Sequence, residues 1–311
     1  MGYRHARGSG QFSGRRILHF RQLEVFPMDN QQQREMWNGR AGASWVRHNT
    51  LLEQLLAEPG RRCMNSLSLP AGAQLLDVGC GCGNQTLEWA SRLDSQSKIT
   101  GVDISEPMLA LAEDLKAANQ SDLNAAVEFV VGDASDALFP NEAFDAIYSR
   151  FGVMFFADPT AAFATLRETL KPQGQLGFVC WQSPALNPFF TAPMQAALSV
   201  LPPPPPAKPG APGPFGLADK EVIERVLTDA GFTNLTIDPL ALDLSVGASQ
   251  SFEEIFEELI QIGPAAALIA ESDPALKEPA RTAVYERLSE FYSPGKGVSF
   301  EANFWLVNAV R

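Results

Sequence analysis

Residues 74–90, QLLDVGCGCGNQTLEWA, restrict the fold more than any other stretch of this chain. An apolar run (Leu75, Leu76, Val78) ends in glycines at 79, 81 and 83, and a helical pattern begins at once. The pattern predicts a buried strand, a tight turn and a helix start. Glycine has no Cβ, so such a turn can take positive φ and bring its backbone against a ligand. The helix behind it directs free N–H groups and a positive dipole end at the same spot. A corner of this kind suits a nucleotide-like cofactor.

The flanking residues narrow the choice. A dinucleotide corner usually reads G-x-G-x-x-G and aims its helix at a pyrophosphate. Here the spacing is G-x-G-x-G, and Asp77 stands on the strand two residues before the first glycine. An acid there repels a pyrophosphate and suits a ligand carrying ammonium and sulfonium groups. Residues 98–104 (KITGVDI) read as a second strand ending in Asp103, whose carboxylate can accept from ribose hydroxyls. A third strand over 127–132 ends at Gly132, Asp133 and Ala134, where an acid can accept from an adenine amino group. A fourth over 143–150 ends in Ser149 and Arg150 beside an aromatic run.

Five motifs now stand in order: LLDVGCGCGNQT at 75–86, GVDIS at 101–105, VVGDA at 130–134, FDAIYSRFGVMFF at 144–156 and LKPQGQLGFVCW at 170–181. In order and spacing the chain resembles the class I S-adenosylmethionine (SAM) dependent methyltransferases, over about residues 36–182. Within that family it is most similar to small-molecule enzymes of the ubiquinone/menaquinone-biosynthesis type. The resemblance implies an α/β, Rossmann-like, mostly parallel sheet of seven strands, order 3-2-1-4-5-7-6, with strand seven antiparallel and helices on both faces. It also implies roles. Asp77 and the backbone of Gly79, Gly81 and Gly83 hold the methionine part of SAM, and Asn84 at the helix start is counted with them. Asp103 takes the ribose, with Ile104 and Met108 near the adenine, while Asp133 and Ala134 meet its edge. Ser149 and Arg150 sit where the methionine end meets the acceptor.

The N-terminal segment 30–66 reads as helical, with breaks near 39–42 and at 59–60, and lies over the cofactor. Trp37 and Trp45 on it are either core anchors or a lid whose aromatic faces favour the sulfonium. His48, the one histidine outside residues 1–27, is a weak candidate for a general base, and a satisfied structural histidine is the commoner case. Helices are expected at 85–94, 106–119 (with Ser105 as N-cap), 159–170 and 219–230, and further strands at 174–181, 233–243 and 298–310. Helices at 251–270 and 274–292 form a cap inserted before the last strand. The aromatic stretch 151–156, with Trp181, Phe189 and Phe190, fits either a pocket for an apolar acceptor or ordinary core packing.

Composition sets the partners. The net charge of −12 excludes a nucleic-acid surface, which needs basic residues, and favours a small-molecule acceptor. Cysteines 63, 80, 82 and 180 have no zinc-site spacing and read as reduced core residues, consistent with a cytoplasmic location. No metal is expected, and no stretch is apolar enough to span a bilayer. Residues 1–27 differ: five arginines against one glutamate make them about +4, leaving −16 for the rest. They read as a disordered or non-native leader, or as an organelle transit peptide, ahead of a methyltransferase domain at 28–311 with its core at 68–182. The run 201–214 (LPPPPPAKPGAPGP) is a stiff surface linker or a rim beside the pocket. Two other functions stay open: a SAM-binding protein without catalysis, and a nucleotide-cofactor oxidoreductase, which Asp77 opposes.

Overall fold

Four consecutive buried residues, Leu75, Leu76, Asp77 and Val78, form the inner strand on which the molecule is built. A strand buried on successive residues has both faces covered, the condition of a parallel sheet packed between helices. The computed structural model describes residues 30–204 and 212–311, so the leader and the middle of the proline run lie outside the described residues. Strands β1 (Gln74–Val78), β2 (Lys98–Asp103), β3 (Ala126–Val131), β4 (Phe144–Arg150) and β5 (Leu170–Trp181) are parallel. Strand β6 (Thr233–Val246), the short β7 (Tyr292–Ser293) and β8 (Gly297–Val310) complete an eight-stranded sheet.

Its order is β3-β2-β1-β4-β5-β8-β6, with β8 antiparallel to both neighbours. This is the expected path, with the expected seventh strand now eighth in sequence. The added strand is β7, which pairs only with the start of β8 through a Pro-Gly-Lys-Gly turn. It shortens the helix expected to reach residue 292. The strand order reverses between β1 and β4, so the carboxyl ends of the strands open a crevice there.

The N-terminal segment divides into α1 (Asn30–Asn38), α2 (Arg40–Arg47) and α3 (Asn49–Ser66). The break at Gly39 is as expected. The one expected at 59–60 is absent, and the second break falls at His48 instead. Packing explains the unbroken α3. A Cβ on Gly60 would lie 2.1 Å from Gln85 Oε1 and 2.7 Å from the Tyr148 hydroxyl, so only glycine lets the helix sit this close. That contact outweighs the roughly 1 kcal/mol by which glycine disfavours a helix interior.

Helices α4 (Asn84–Arg92), α5 (Glu106–Ala118) and α6 (Pro159–Thr169) follow the strands as expected. Ser105 is the N-cap residue of α5 by position only. Its hydroxyl donates to Trp37 O at 2.7 Å, while Asn38 Oδ1 accepts from the Glu106 N–H at 2.9 Å. Helix α7 (Pro188–Leu198) was not expected. Prolines at both 188 and 193 hide it, yet Pro188 occupies a helix start, where its missing N–H costs nothing. After α8 (Lys220–Asp229), the segment between β6 and β7 forms three helices rather than two: α9 (Phe252–Leu259), α10 (Gly263–Glu271) and α11 (Pro274–Ser289). Gly263, at φ +79°, and Pro264 restart the helix at α10. Among the described residues no helix is long and apolar enough to cross a membrane.

Candidate active site

The glycine loop after β1 owes its course to a backbone-on-backbone contact. Gly79 has φ +68°, and a Cβ there would stand 2.6 Å from Gly152 Cα in the loop after β4. The two loops therefore meet at the crevice without side chains between them. The N–H groups of Gly79 and Cys80 both donate to Val102 O, tying the loop to β2. Asp103 fixes the next residue: its carboxylate accepts from the Gly81 N–H at 2.8 Å and from the Ser105 N–H at 2.9 Å. Each oxygen keeps a second lone pair.

Above these loops lies a cavity of about 440 Å³. Asp77, Asp103 and Asp133 line one end, at the carboxyl ends of successive strands or just beyond them, with Gly79, Gly81, Asn84, Ile104, Met108 and Ala134. Burial pushes the Asp77 carboxyl up to about 7, against the opposing pull of the Thr86 hydroxyl, 2.6 Å away, and of Arg150. Burial also raises Asp103, against its backbone N–H partners. Asp133 accepts from the N–H and hydroxyl of Ser135 at 2.9 and 2.6 Å, and Arg34 of α1 stands 3.8 Å away. Such acceptors, spaced along strand ends, can each take a hydrogen-bond donor or a cation.

Trp37 and Trp45 line the roof. They sit on separate helices, with ring centroids 6.2 Å apart, and Trp37 also meets Phe155 edge-on at 5.1 Å. Asn38 anchors α1 below by donating to Ile104 O at 2.8 Å. The other end of the cavity is aromatic and apolar. Phe151, Phe155, Phe156, Trp181, Phe189 and Phe190 line it, with Leu52 and Leu56 of α3 and Ile262, Pro264 and Ala267 around α10. Phe151 holds φ +62°, uncommon for so large a side chain, and stacks on Trp181 at 5.1 Å and 13°.

Arg150 lies between the two ends. It donates to Glu53 Oε2 at 2.8 Å and Leu56 O at 3.1 Å. Among the described residues lining the cavity it is the sole cation, and Glu53 pairs it.

Three of the residues picked from the sequence do not line the cavity. Gly83 starts α4 and packs toward Phe129 and Ala112. Ser149 is fully buried and donates to Val78 O at 2.7 Å. His48 joins α2 to α3, and burial and the neighbouring Arg47 lower its pKa. Glu53 and Asn49 carry no signal in the sequence, and the α10 residues come from the segment expected as a cap. Glu53 looks like any helix-surface acid, and nothing in its neighbourhood of sequence marks it.

The methyltransferase-domain family matches residues 76–178, the stretch from the glycine loop to β5. Residues 76–178 thus match a methyltransferase domain, and the chain is similar to the class I SAM-dependent methyltransferases. SAM is the cofactor of that family. The chain is 32% identical over 119 residues to phosphoethanolamine N-methyltransferase 1 of Arabidopsis thaliana, covering 38% of this chain and 23% of that protein. It is 30% identical over 129 residues to a demethylmenaquinone methyltransferase of Staphylococcus aureus, covering 42% and 52%. The matches thus span about a quarter to half the length of these relatives. Among solved structures, phosphoethanolamine N-methyltransferase 2 of Haemonchus contortus superposes with a TM-score of 0.53 at 15% identity, over 92% of this chain and 61% of that one. A crystal structure from Bacillus halodurans gives 0.52 at 19% identity, over 80% and 97%. At these identities the structural likeness is one of fold.

Proposed function

We propose that this chain binds SAM at the aspartate end of the cavity and transfers its methyl group to a small, uncharged, ring-bearing acceptor at the aromatic end. The observation that carries the reading is the continuity of one cavity from three strand-end carboxylates to a wall of six aromatic rings. SAM supplies a methyl carbon already activated by a positive sulfur. The protein's part is alignment and exclusion of water. Asp77 is suited to an ammonium, Asp103 to ribose hydroxyls and Asp133 to an adenine amino group. Gly79 and Gly81 admit the ligand against bare backbone, and Met108 packs over Gly81. The Trp37–Trp45 pair roofs the site, favouring a sulfonium below it.

Charge supports an uncharged acceptor. Among the described residues, four acids and one arginine line the cavity, and the arginine is already paired. Among the described residues, nothing at the aromatic end balances a phosphate. The demethylmenaquinone enzymes among the relatives are therefore a better guide to acceptor chemistry than the phosphoethanolamine enzymes. The reading treats residues 28–311 as one catalytic unit capped by 250–293, and a cytoplasmic location fits four buried, free cysteines. Incubation with methyl-labelled SAM tests it: label is expected on hydroxylated aromatic compounds and not on phosphoethanolamine. The reverse pattern overturns the acceptor class, and SAM binding without any transfer supports a non-catalytic role.

A further inference from the structure

We infer that Glu53 is the acceptor-facing carboxylate, receiving the hydrogen bond and then the proton of an O–H or N–H nucleophile. The inference rests on the function proposed above and goes on to name the nucleophile's chemistry. Among the described residues four acids line the cavity, and three of them stand at or just past the strand ends. Glu53 alone comes from α3, one turn before Leu56 and beside Leu52, which line the apolar end.

Its position is held from two sides. Oε2 accepts from Arg150 at 2.8 Å, and Oε1 accepts from Gln85 Nε2 at 2.8 Å. Gln85 is in turn fixed by the Tyr148 hydroxyl, which donates to its Oε1 at 3.0 Å, in the gap left by Gly60. Each carboxylate oxygen thus holds one donor and keeps a further lone pair. Arg150 neutralises the charge, so a neutral donor is preferred to a cationic one. An aromatic compound without an X–H group would leave this polar edge unmatched.

The step balances simply. The nucleophile's lone pair forms the bond to the methyl carbon as the carbon–sulfur bond breaks, and that electron pair stays on sulfur. The nucleophile becomes a strong acid as its new bond forms, so a carboxylate suffices to take the proton. Asp77 is placed otherwise, committed to Thr86 beside the glycine loop.

The test uses the full chain loaded with S-adenosylhomocysteine (SAH), with 1-naphthol and naphthalene as probes of one ring system. The wild type is expected to bind 1-naphthol about tenfold or more tighter than naphthalene, and Glu53→Gln to lose that preference. A merely structural role, through a displaced Arg150, weakens both probes equally and overturns the inference, as does an equal affinity of the wild type for both. Thermal unfolding and SAH titration confirm that the variant is folded, and Glu53→Asp is expected to restore part of the preference. Labelled methyl transfer to 1-naphthol is expected to fall about tenfold or more in Glu53→Gln with SAH affinity kept. Failure of both probes to bind overturns the apolar acceptor and this inference with it, whereas failure of SAH to bind overturns the cofactor reading first.

Discussion

The two ends of the cavity are made in different ways. The aspartate end is assembled from one contiguous stretch, 76–134, in which each carboxylate stands at or just beyond the carboxyl end of a strand. The aromatic end gathers residues from α3, the loop after β4, the end of β5, α7 and α10, segments up to about 200 residues apart in sequence. One end is set by local backbone geometry and the other by tertiary packing. The difference predicts that damage to the aromatic end costs stability and acceptor binding, while damage to the aspartate end costs cofactor binding.

The largest effect is expected from Trp181→Ala. Trp181 is 3% exposed and packs against Phe151, Phe190 and Phe304 with centroids at 5.1, 4.8 and 4.5 Å. Its truncation should lower unfolding free energy by about 3–5 kcal/mol in denaturant titration. Calorimetry should find SAH affinity nearly unchanged in the folded fraction. A collapse of SAH affinity would break the division between the ends.

Asp103→Ala comes next. It removes a buried acceptor together with the partner of two loop N–H groups, and SAM binding should weaken by about 1–3 kcal/mol. Unchanged affinity in a folded variant removes the ribose assignment. Gly60→Ala sharpens the comparison where the ends meet. On an ordinary helix this substitution stabilises, but here the new Cβ would fall 2.1 Å from Gln85 Oε1. A loss of about 1–3 kcal/mol in thermal or chemical unfolding is expected, and a gain would show that α3 is not held by this contact.

The smallest effect is one of pH. With Asp77 raised to about 7 in the empty fold, the folded chain holds a proton that the unfolded chain releases at ordinary carboxylate values. Stability from this group is therefore greatest at low pH and declines as pH rises from about 4 to about 7. Binding of an ammonium needs the ionised form, so SAM affinity should fall as pH drops below about 7, by at most about tenfold per pH unit. Asp77→Asn should bind weakly and without that slope, and an equal slope in the variant would assign the proton elsewhere.

The same division explains what the sequence discloses. Residues 74–90 carry a strand, a turn and a helix start in their own pattern, so β1, the glycine loop and α4 were legible. Asp103 and Asp133 were legible for the same reason, as polar residues terminating or just following apolar runs. Gly83 and Ser149 belong to those motifs yet face the core, because a motif fixes the backbone course and not which side chain reaches the cavity. The α3 helix was misjudged at 59–60, where a Pro-Gly pair usually breaks a helix and long-range packing on Gln85 and Tyr148 decides otherwise. Helix α7 and the division of α9 from α10 were hidden by prolines that serve as helix starts. Glu53 could not be seen at all, since its partners Arg150 and Gln85 lie 97 and 32 residues away.

Whether the aspartate end is a SAM site is decided by calorimetric titration of the purified chain with SAM, SAH and NAD. Saturable one-to-one binding of SAM and SAH, with no heat from NAD, is the predicted result. Binding of NAD, or of none of the three by a folded chain, would contradict it.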